Sequence, residues 1–354
     1  MSFLSFLRFK IQTYTSLPYV SLLRYQRRIA NNNDFVILCY HRVRERTGIF
    51  YDNNISASSL EFRKQMLYIN KHFNVISIDQ LTEHSKGNSK LKPNSIMITF
   101  DDGYKDNAIN AFPVLEELCM SAVVFVTTGY IDSDSIPWED QVSYLFSKIS
   151  AKKVEIEDKR VYPLETQDQK EKSIWHFCKK LNLFTPVKRN EVIRGLYDKY
   201  QIDEEEMHKA AHGISMGYMS RKDIRYWDDH GIVYGIHTVT HPCLTTLTEE
   251  KMYSEISESK RALEDILGKP VNAFAYPYGR KGDFNNATTQ IVKNVGLRIC
   301  MICEPGTNHL DCNYLGLKRI SMDGDTNFEL ACHGILNFFD LFKEIRKLIE
   351  LRRK

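Results

Sequence analysis

Two adjacent carboxylates close an apolar segment of the chain, in the sequence "ITFDDGY" (98–104). Neighbouring side chains at the end of a strand point in different directions, so one carboxylate can bind a metal while the other faces a substrate. Asp-Gly is also ordinary turn chemistry. However, Asp101 and Asp102 directly follow an apolar strand and lead into a predicted helix, which favours a chemical role.

Two histidines four residues apart follow another apolar segment, in "GIHTVTHP" (235–242). If the chain makes one helical turn there, the rings of His237 and His241 project to the same side and can bind one cation. A single histidine is usually structural, but two at this spacing after a strand are typical of metal ligands. Together with one aspartate they would give three protein ligands and leave a position for water, as a catalytic metal site requires.

Two further segments end in aromatic or ionisable residues. In "FAYPYGR" (274–280), Tyr276 and Tyr278 flank a proline, which indicates a rigid loop with exposed rings, although the same residues also make an ordinary turn. In "VILCYHRV" (36–43), His41 stands where an apolar run ends. Taken alone, this histidine would be a structural residue at the end of a strand.

The elements that must position these residues alternate along the chain. Apolar runs, each followed by an amphipathic helix, indicate parallel strands covered by helices, and seven or eight such units favour a (β/α) barrel over an open sheet. The predicted strands are 34–40, 74–78, 95–100, 122–127, 232–236, 272–276, 297–302 and 315–320. The predicted helices are 58–72, 79–86, 106–120, 249–267 and 285–294. Asp106 is placed to cap the third of these helices.

The motifs share one position in this arrangement, and that shared position is stronger support for a site than any single motif. Active sites of barrel enzymes lie at the C-terminal ends of the strands. All the candidate residues follow such ends: His41, Asp101, Asp102, His237, His241, Tyr276 and Tyr278.

Residues 136–215 interrupt the alternation. They are charged and helical in pattern, contain no convincing strand, and enlarge one connection on the face where a barrel carries its active site. We therefore treat them as a candidate lid, with a solvated decoration as the alternative. The predicted domains are a basic helical extension at 1–33, a barrel at 34–335 that contains the insertion, and a basic amphipathic helix at 336–354.

Composition limits the class of protein. The chain has 354 residues, 43% of them apolar, and a formal net charge of only +3, which argues against a nucleic-acid binder. Eight scattered cysteines indicate a reducing compartment, and Cys300 with Cys303 lacks the second pair that a zinc knuckle needs. Without a signal-peptide pattern or a run of ~18 apolar residues, we expect a cytoplasmic protein, and the basic ends suggest peripheral contact with the inner membrane surface.

The ordered motifs "TFDDGY", "HTVTH" and "AYPYG" resemble the polysaccharide deacetylase family, carbohydrate esterase family 4, which contains the NodB homology domain. The sequences "YHRV" and "SSLEFRKQMLYINKHFNVISIDQL" resemble the bacterial branch of the family that is involved in surface polysaccharides. The resemblance covers roughly 34–130 and 218–322. It implies a deformed (β/α)7 barrel that removes N- or O-acetyl groups from a sugar or oligosaccharide.

The resemblance also implies roles for individual residues. Asp102, His237 and His241 would bind a divalent metal, with zinc expected and cobalt or nickel as alternatives. Asp101 would be the general base toward the attacking water. The metal and the backbone N–H of Tyr278 would stabilise the oxyanion, with Tyr276 and Tyr104 as further substrate contacts. In the similar branch the early histidine acts as the general acid, and this role falls on His41.

The sequence departs from the family pattern in two places. The arginine that often orients the base, two residues before the proline of the third motif, is replaced by Ala275; Arg280 and Arg319 are the candidates to substitute for it. The Leu-x-His motif that often supplies the acid near the C-terminus is also absent. His333 has the wrong spacing and is expected to be structural, and His309 is a weaker candidate.

The sequence leaves three alternative hypotheses for the function. The first is a metal-dependent deacetylase of an N-acetylated sugar or oligosaccharide, for which a lipid-linked precursor would suit a cytoplasmic enzyme with basic ends. The second is a glycan-binding pseudoenzyme on the same barrel, which would explain the two departures. The third is a structural protein that assembles on a membrane surface through its basic termini.

Overall fold

The computed structural model describes residues 34–155, 160–309, 311–322 and 326–334. Its central element is a ring of parallel strands. These are β1 (Phe35–Tyr40), β2 (Ser95–Phe100), β3 (Ala122–Val126), β4 (Ile232–Ile236), β5 (Ala273–Ala275), β6 (Ile299–Ile302), β7 (Leu317–Lys318) and β8 (Ile320–Ser321). Each strand from β1 to β7 is paired in parallel register within the sheet order β7-β6-β5-β4-β3-β2-β1-β8.

The last two strands close the ring. β7 pairs with β6 through Met301 and Leu317, and β8 pairs with β1 through Leu38 and Ile320. Only Arg319 separates β7 from β8, so one short segment occupies the seventh position and joins both edges of the sheet. This is the expected deformed (β/α)7 barrel.

Alternate residues of the strands fill the barrel interior, as the two-residue period of a strand requires. They form one buried apolar cluster that contains Phe35, Ile37, Met97, Val123, Phe125, Ala273, Ala275, Ile299, Met301 and Leu317. The intervening strand residues, such as Val36, Ile98 and Phe274, belong to a second cluster shared with the surrounding helices. β1, β2, β3, β5 and β6 are buried on both faces, which explains why these strands appear in the sequence as continuous apolar runs.

Four of the five predicted helices begin and end within one residue of the predicted positions, the predicted helix 106–120 is shorter, and two further helices were not predicted. Ser58 caps the first and Thr248 caps the longest of them through side-chain hydrogen bonds to backbone N–H groups. The helices outside the insertion are Ser59–His72, Ile78–Ser85, Phe112–Glu117, Arg221–Asp229, Glu249–Leu267, Asn286–Asn294 and Phe328–Ala331. A π-helical turn at Asn107–Ala111 precedes Phe112–Glu117, and single 3₁₀ turns occur at Asp52–Asn54, Thr128–Tyr130 and Leu244–Thr246. Short strand pairs involve Arg42–Val43 with Ile55–Ala57, and Asn74–Val75 with β2.

The prediction that Asp106 caps a helix is wrong. Its side chain makes no capping hydrogen bond; instead Asp106 Oδ1 accepts a hydrogen bond from the backbone N–H of Val43, and its other oxygen lies 3.7 Å from Arg42. Asp106 is buried beneath the loop that follows β1, where a carboxylate satisfies a backbone donor and balances a buried guanidinium.

The insertion has its own core and is docked on the barrel. Its helices are Trp138–Lys148, Gln167–Leu181, Pro186–Tyr200 and Glu204–Gly213. The prediction that it contains no strand is wrong: Lys153–Glu155 pairs antiparallel with Val161–Pro163. Each of these strands has three residues, of which only the central Val154 or Tyr162 is buried, so the alternation is too short to be recognised in a sequence.

A buried ion pair joins the insertion to the barrel. Arg42 Nη2 donates a 2.6 Å hydrogen bond to Asp140, and both side chains are fully buried. The Arg42 guanidinium also lies 3.9 Å from the ring centroid of Tyr104. A charge pair of this kind is costly to break, because removal of one partner leaves the other buried and unpaired.

The predicted terminal elements at 1–33 and 336–354 lie outside the described residues, and the domain boundaries remain predictions. Among the helices that the structure describes, none combines the length and the apolar character needed to cross a bilayer.

Candidate functional site

The inward-facing series of strand residues becomes polar at the C-terminal end of the barrel. The same two-residue steps that place Phe35, Met97, Ile299 and Leu317 in the apolar interior lead upward to a polar layer. Its members are Cys39, Thr99, Asp101, Cys303 and Arg319. This polar layer is therefore a continuation of the barrel core.

Arg319 holds the carboxylate of Asp101 through two parallel hydrogen bonds. Nη1 donates to Oδ1 and Nη2 to Oδ2, each at 2.6 Å, and Asp101 is only 2% exposed. Burial alone would raise the pKa of Asp101, but the charge and hydrogen bonds of Arg319 outweigh it and keep the pKa well below its usual range. Arg319, and not Arg280, therefore occupies the place of the arginine missing at Ala275.

Two cysteines border this ion pair. The Sγ atom of Cys39 lies 3.5 Å from Asp101, and that of Cys303 lies 3.4 Å from Arg319 Nη2. The hydrogen bond from Cys39 and the charge of Arg319 lower the pKa of Cys303, against the effect of burial. Cys39, Asp101 and Cys303 are close enough to share an ion, but the guanidinium already occupies both carboxylate oxygens and would repel a cation.

Asp102 points away from its neighbour because the chain turns sharply after β2. Asp102 has φ +72° and Gly103 φ +79°, both in the left-handed region, where aspartate is tolerated and glycine is favoured. A Cβ on Gly103 would also lie 3.0 Å from a side-chain carbon of Val126. This turn separates the two carboxylates, as the sequence predicts.

His237 and His241 come together through a strained loop, so the prediction of a helical turn is wrong. Thr238 has φ +67° and His241 φ +56°, and such backbone persists only where the surroundings enforce it. Glu255, from the helix Glu249–Leu267, supplies part of that constraint: its carboxylate accepts hydrogen bonds from the N–H groups of Val239 and Thr240, at 2.8 and 2.9 Å.

The three predicted metal ligands converge on one point. Asp102 Oδ1 lies 3.5 Å from His237 Nε2 and 3.3 Å from His241 Nε2, and the two Nε2 atoms are 3.2 Å apart. A tetrahedral ion with bonds of about 2.0–2.1 Å requires donor atoms about 3.3 Å apart, so these separations fit.

The protonation state of the histidines also fits a metal site. His237 Nδ1 lies 2.7 Å from the carbonyl of Ala275, so it donates its proton there and leaves the lone pair of Nε2 toward the site. Burial lowers the pKa of His237 to about 4, and burial together with the charge of Arg189 lowers that of His241 to about 3. Both rings are therefore neutral near pH 7 and available as ligands.

His41 lines the same cavity as these residues, whereas the other acid candidates do not. Its backbone is fixed on both sides, because its N–H donates to Ser56 Oγ and its carbonyl accepts from Asn107 Nδ2, each at 2.9 Å. His333 is buried against Phe73, as a structural residue would be. His309 pairs with Asp34 next to the start of β1, at the opposite end of the barrel.

The three tyrosines have different environments. Tyr278 (φ +59°) lines the cavity with its ring edge against His241, and Tyr104 also lines the cavity. Tyr276 does not act as a substrate contact in this geometry: it is fully buried, stacks on Phe284 and donates a hydrogen bond to the carbonyl of Leu315. Tyr276 shares the outward direction of Phe274, two residues before it, which explains its packing role.

The insertion forms one wall of the cavity, which has a volume of about 250 Å³. It contributes Trp138, Glu139, Trp175, Cys178, Lys179 and Asn182 to the lining. Burial raises the pKa of Glu139 to about 8, although Arg189 opposes this effect. The insertion is therefore part of the site and not a decoration apart from it.

Sequence reasoning named Arg319 as one of two candidates to orient the base, and its inward position two residues after Leu317 agrees with that role. Other residues of the site were missed. Glu255 and the wall residues of the insertion carry no such signal, because their positions depend on how separate helices pack.

Removal of the Arg319 charge gives a testable change in pH dependence. In Arg319→Met, burial of Asp101 is no longer opposed, so its pKa rises, and the acid limb of kcat/KM should move upward by at least about one pH unit. The variant should also be less stable by about 3–5 kcal/mol at neutral pH, because a buried carboxylate is left unpaired. This loss should decrease as the pH falls through the raised pKa and Asp101 is protonated.

The matched control is Arg280→Met, which removes an exposed arginine beside the same cavity. It should leave the acid limb in place. A profile that moves in Arg280→Met and not in Arg319→Met would show that Arg280 governs the base. Urea unfolding at several pH values measures the stability difference.

Comparisons with known proteins identify the family of this chain. A family model described as polysaccharide deacetylase matches residues 88–161 and 197–300, about half of the chain. Among curated proteins, YxkH of Bacillus subtilis (strain 168), whose name assigns it to the polysaccharide deacetylases, is 21% identical over 285 residues, covering 80% of this chain and 70% of that protein. Poly-beta-1,6-N-acetyl-D-glucosamine N-deacetylase of Escherichia coli (strain K12) is 26% identical over 114 residues, which cover 32% of this chain and 16% of that protein.

Two solved structures share the fold. The Streptococcus pyogenes deacetylase PplD, in complex with acetate, has a TM-score of 0.55 at 18% identity, over 84% of this chain and 95% of that one. IcaB from Ammonifex degensii has a TM-score of 0.55 at 16% identity, over 86% of this chain and 98% of that one. Since the family model spans the strands that carry both aspartates and both histidines, this chain belongs to the polysaccharide deacetylase family and is a carbohydrate deacetylase, a hydrolase.

Proposed function

We propose that this protein is a metal-dependent deacetylase that removes acetyl groups, principally N-acetyl groups, from sugar residues of a glycan in surface-polysaccharide metabolism. One observation carries the proposal: the adjacent carboxylates of Asp101 and Asp102 lie in different environments. Asp101 is held ionised by Arg319, and Asp102 joins two neutral histidines. Such a separation is what distinct base and ligand roles require. The name of the Escherichia coli relative supports an N-acetylated sugar as substrate.

Asp102, His237 and His241 would hold the metal, and zinc is the expected ion because of its preference for nitrogen and carboxylate ligands in a tetrahedral arrangement. When bound, a divalent cation supplies Lewis acidity, which lowers the pKa of a coordinated water and polarises the acetyl carbonyl. Cobalt and nickel are alternatives with similar ligand preferences.

The remaining steps fall to residues of the chain. Asp101 accepts a proton from the attacking water as its oxygen forms a bond to the acetyl carbon, and Arg319 keeps that carboxylate ionised and oriented. The backbone N–H of Tyr278 donates a hydrogen bond to the carbonyl oxygen as it becomes negative. Protonated His41 then gives its proton to the leaving nitrogen as the C–N bond breaks. The products are acetate and a free amine on the sugar.

The pseudoenzyme alternative loses one of its two supports. It depended on the alanine at position 275 and on the missing acid motif, but Arg319 now orients Asp101. A cytoplasmic location, membrane contact and a lipid-linked substrate remain predictions, and the terminal residues on which they depend lie outside the described part of the chain.

Acetate release tests the proposed function directly. Purified protein would be incubated with β-1,4- and β-1,6-linked N-acetylglucosamine tetrasaccharides after chelation and again after addition of zinc or cobalt. We expect acetate and free amine in equal amounts only with metal. Activity that survives complete chelation would contradict metal dependence, whereas tight binding without acetate release from either glycan would favour the pseudoenzyme.

A further inference from the structure

One face of the insertion helix Gln167–Leu181 and its C-terminal cap residue line the catalytic cavity. The lining residues are Trp175, Cys178, Lys179 and Asn182, spaced by three, four and seven residues from the first. This spacing places them on a single face of a helix. They lie in the stretch between the two segments that the family model matches, so this wall is a feature added to the shared barrel.

Trp175 is unusual among the tryptophans of the chain. Its side chain is 42% exposed, whereas Trp138 and Trp227 are 6% and 8% exposed. A large aromatic surface left in contact with water beside an active site is typical of a binding surface, because burial by a ligand is favourable. The Lys179 ammonium lies over one face of the ring, with Nζ 4.5 Å from its centroid, and adds a hydrogen-bond donor at this surface.

Three residues that line the cavity carry buried polar atoms that lack a partner. Asn54 Oδ1, Asn182 Oδ1 and Tyr278 Oη are shielded from water and make no hydrogen bond within the described residues. These residues come from three separate segments and all line this cavity. Unpaired buried polar groups are costly, so a ligand that enters the cavity and supplies partners to these atoms would be favoured. Two are acceptors and one is a hydroxyl, a set that the hydroxyl groups of a sugar satisfy.

We propose that the face formed by Trp175, Lys179 and Asn182 is a glycan subsite, which binds the sugar residue next to the one that is deacetylated. The substrate is then an oligosaccharide or polysaccharide of at least two residues, with one ring stacked on Trp175 and its hydroxyls bound by Asn182 and Lys179. This inference rests on the proposed function for the identity of the reacting sugar. The aromatic surface and the unpaired atoms support it independently.

The first experiment compares chain lengths. The kcat and KM of wild type, Trp175→Ala and Trp175→Phe would be measured with N-acetylglucosamine and with its β-1,4- and β-1,6-linked tetrasaccharides. We expect Trp175→Ala to raise KM for the preferred tetrasaccharide about tenfold while kcat changes less than about twofold. Stacking of a neighbouring sugar stabilises the bound substrate and the transition state equally, so its loss weakens binding without slowing the chemical step. Trp175→Phe should recover most of the loss, and Asn182→Ala should raise KM about threefold.

The matched control is Leu183→Ala, which truncates a residue that is 69% exposed just beyond the helix and is not among those that line the cavity. It should leave KM unchanged. An equal KM for monosaccharide and tetrasaccharide in the wild type, or an unchanged KM in both Trp175→Ala and Asn182→Ala, would overturn the subsite while leaving the deacetylase proposal intact.

A binding measurement separates the two proposals. Calorimetry with the Asp101→Asn protein and each tetrasaccharide reports binding without turnover. If binding is about tenfold weaker when Trp175→Ala is added, the subsite is supported even if the wild type releases no acetate. If neither tetrasaccharide binds an enzyme that does deacetylate N-acetylglucosamine, the subsite is wrong and the proposed function stands.

Discussion

Replacement of Asp102 by alanine is expected to remove the bound metal and to lower kcat by at least ~10³-fold. Asp102 is the one anionic donor of the three residues, and its Oδ1 lies within 3.5 Å of both histidine Nε2 atoms. Without it, two neutral imidazoles remain, which hold a divalent ion much less tightly. Metal content after equilibrium dialysis against zinc, and the absorption of a cobalt-loaded sample, measure the loss separately from activity.

Asp102→Asn is the control for folding. Asp102 adopts φ +72°, where asparagine is well tolerated but alanine costs about 1–2 kcal/mol. Both variants should lose metal and activity, whereas in chelator only Asp102→Ala should be less stable toward urea. An alanine variant that keeps one metal per chain and full turnover would refute the proposed ligand set.

The barrel could be predicted because most of its strands are buried on both faces. In runs such as residues 35–40 and 95–100, apolar residues do not alternate with polar ones, so the runs can be recognised in the sequence as buried strands. Their predicted bounds agree with the structure to within about two residues. The same reasoning fails for the three-residue strands of the insertion. Their stability comes from packing around Val154 and Tyr162, and three residues cannot display a period.

Site residues were predicted correctly where a residue of suitable type also lies on the side of its strand or loop that faces the site. Asp102, His237 and His241 meet because the loops after β2 and β4, the two strands that flank β3, bring them together. Tyr276 was misassigned because its residue type was considered without its direction: it faces outward like Phe274. The sequence left Arg319 and Arg280 as alternatives to orient Asp101, because the pairing that decides between them connects residues 218 positions apart.

Loss of the His41 side chain is expected to affect amide substrates far more than activated esters. An amine leaves poorly unless its nitrogen is protonated, so His41→Ala should lower kcat/KM for an N-acetylated oligosaccharide by about 10²–10⁴-fold. A nitrophenolate leaves without protonation. For 4-nitrophenyl acetate the same variant should therefore lose less than about tenfold, since the base and the metal ligands are untouched.

The comparison of leaving groups separates an acid from a residue that merely supports the site. His41 is fixed by Ser56 and Asn107 through its backbone, so its ring can be truncated while these hydrogen bonds remain. The metal content of His41→Ala should match that of the wild type. The control His309→Ala, at the far end of the barrel, should leave kcat/KM unchanged for both substrates. Equal losses on amide and ester would show that His41 positions the metal site or the base. Equal activity on both would make it only the residue that ends β1. A selective loss on the amide is the result that only proton donation to the leaving nitrogen explains, because every other catalytic step is common to the two substrates.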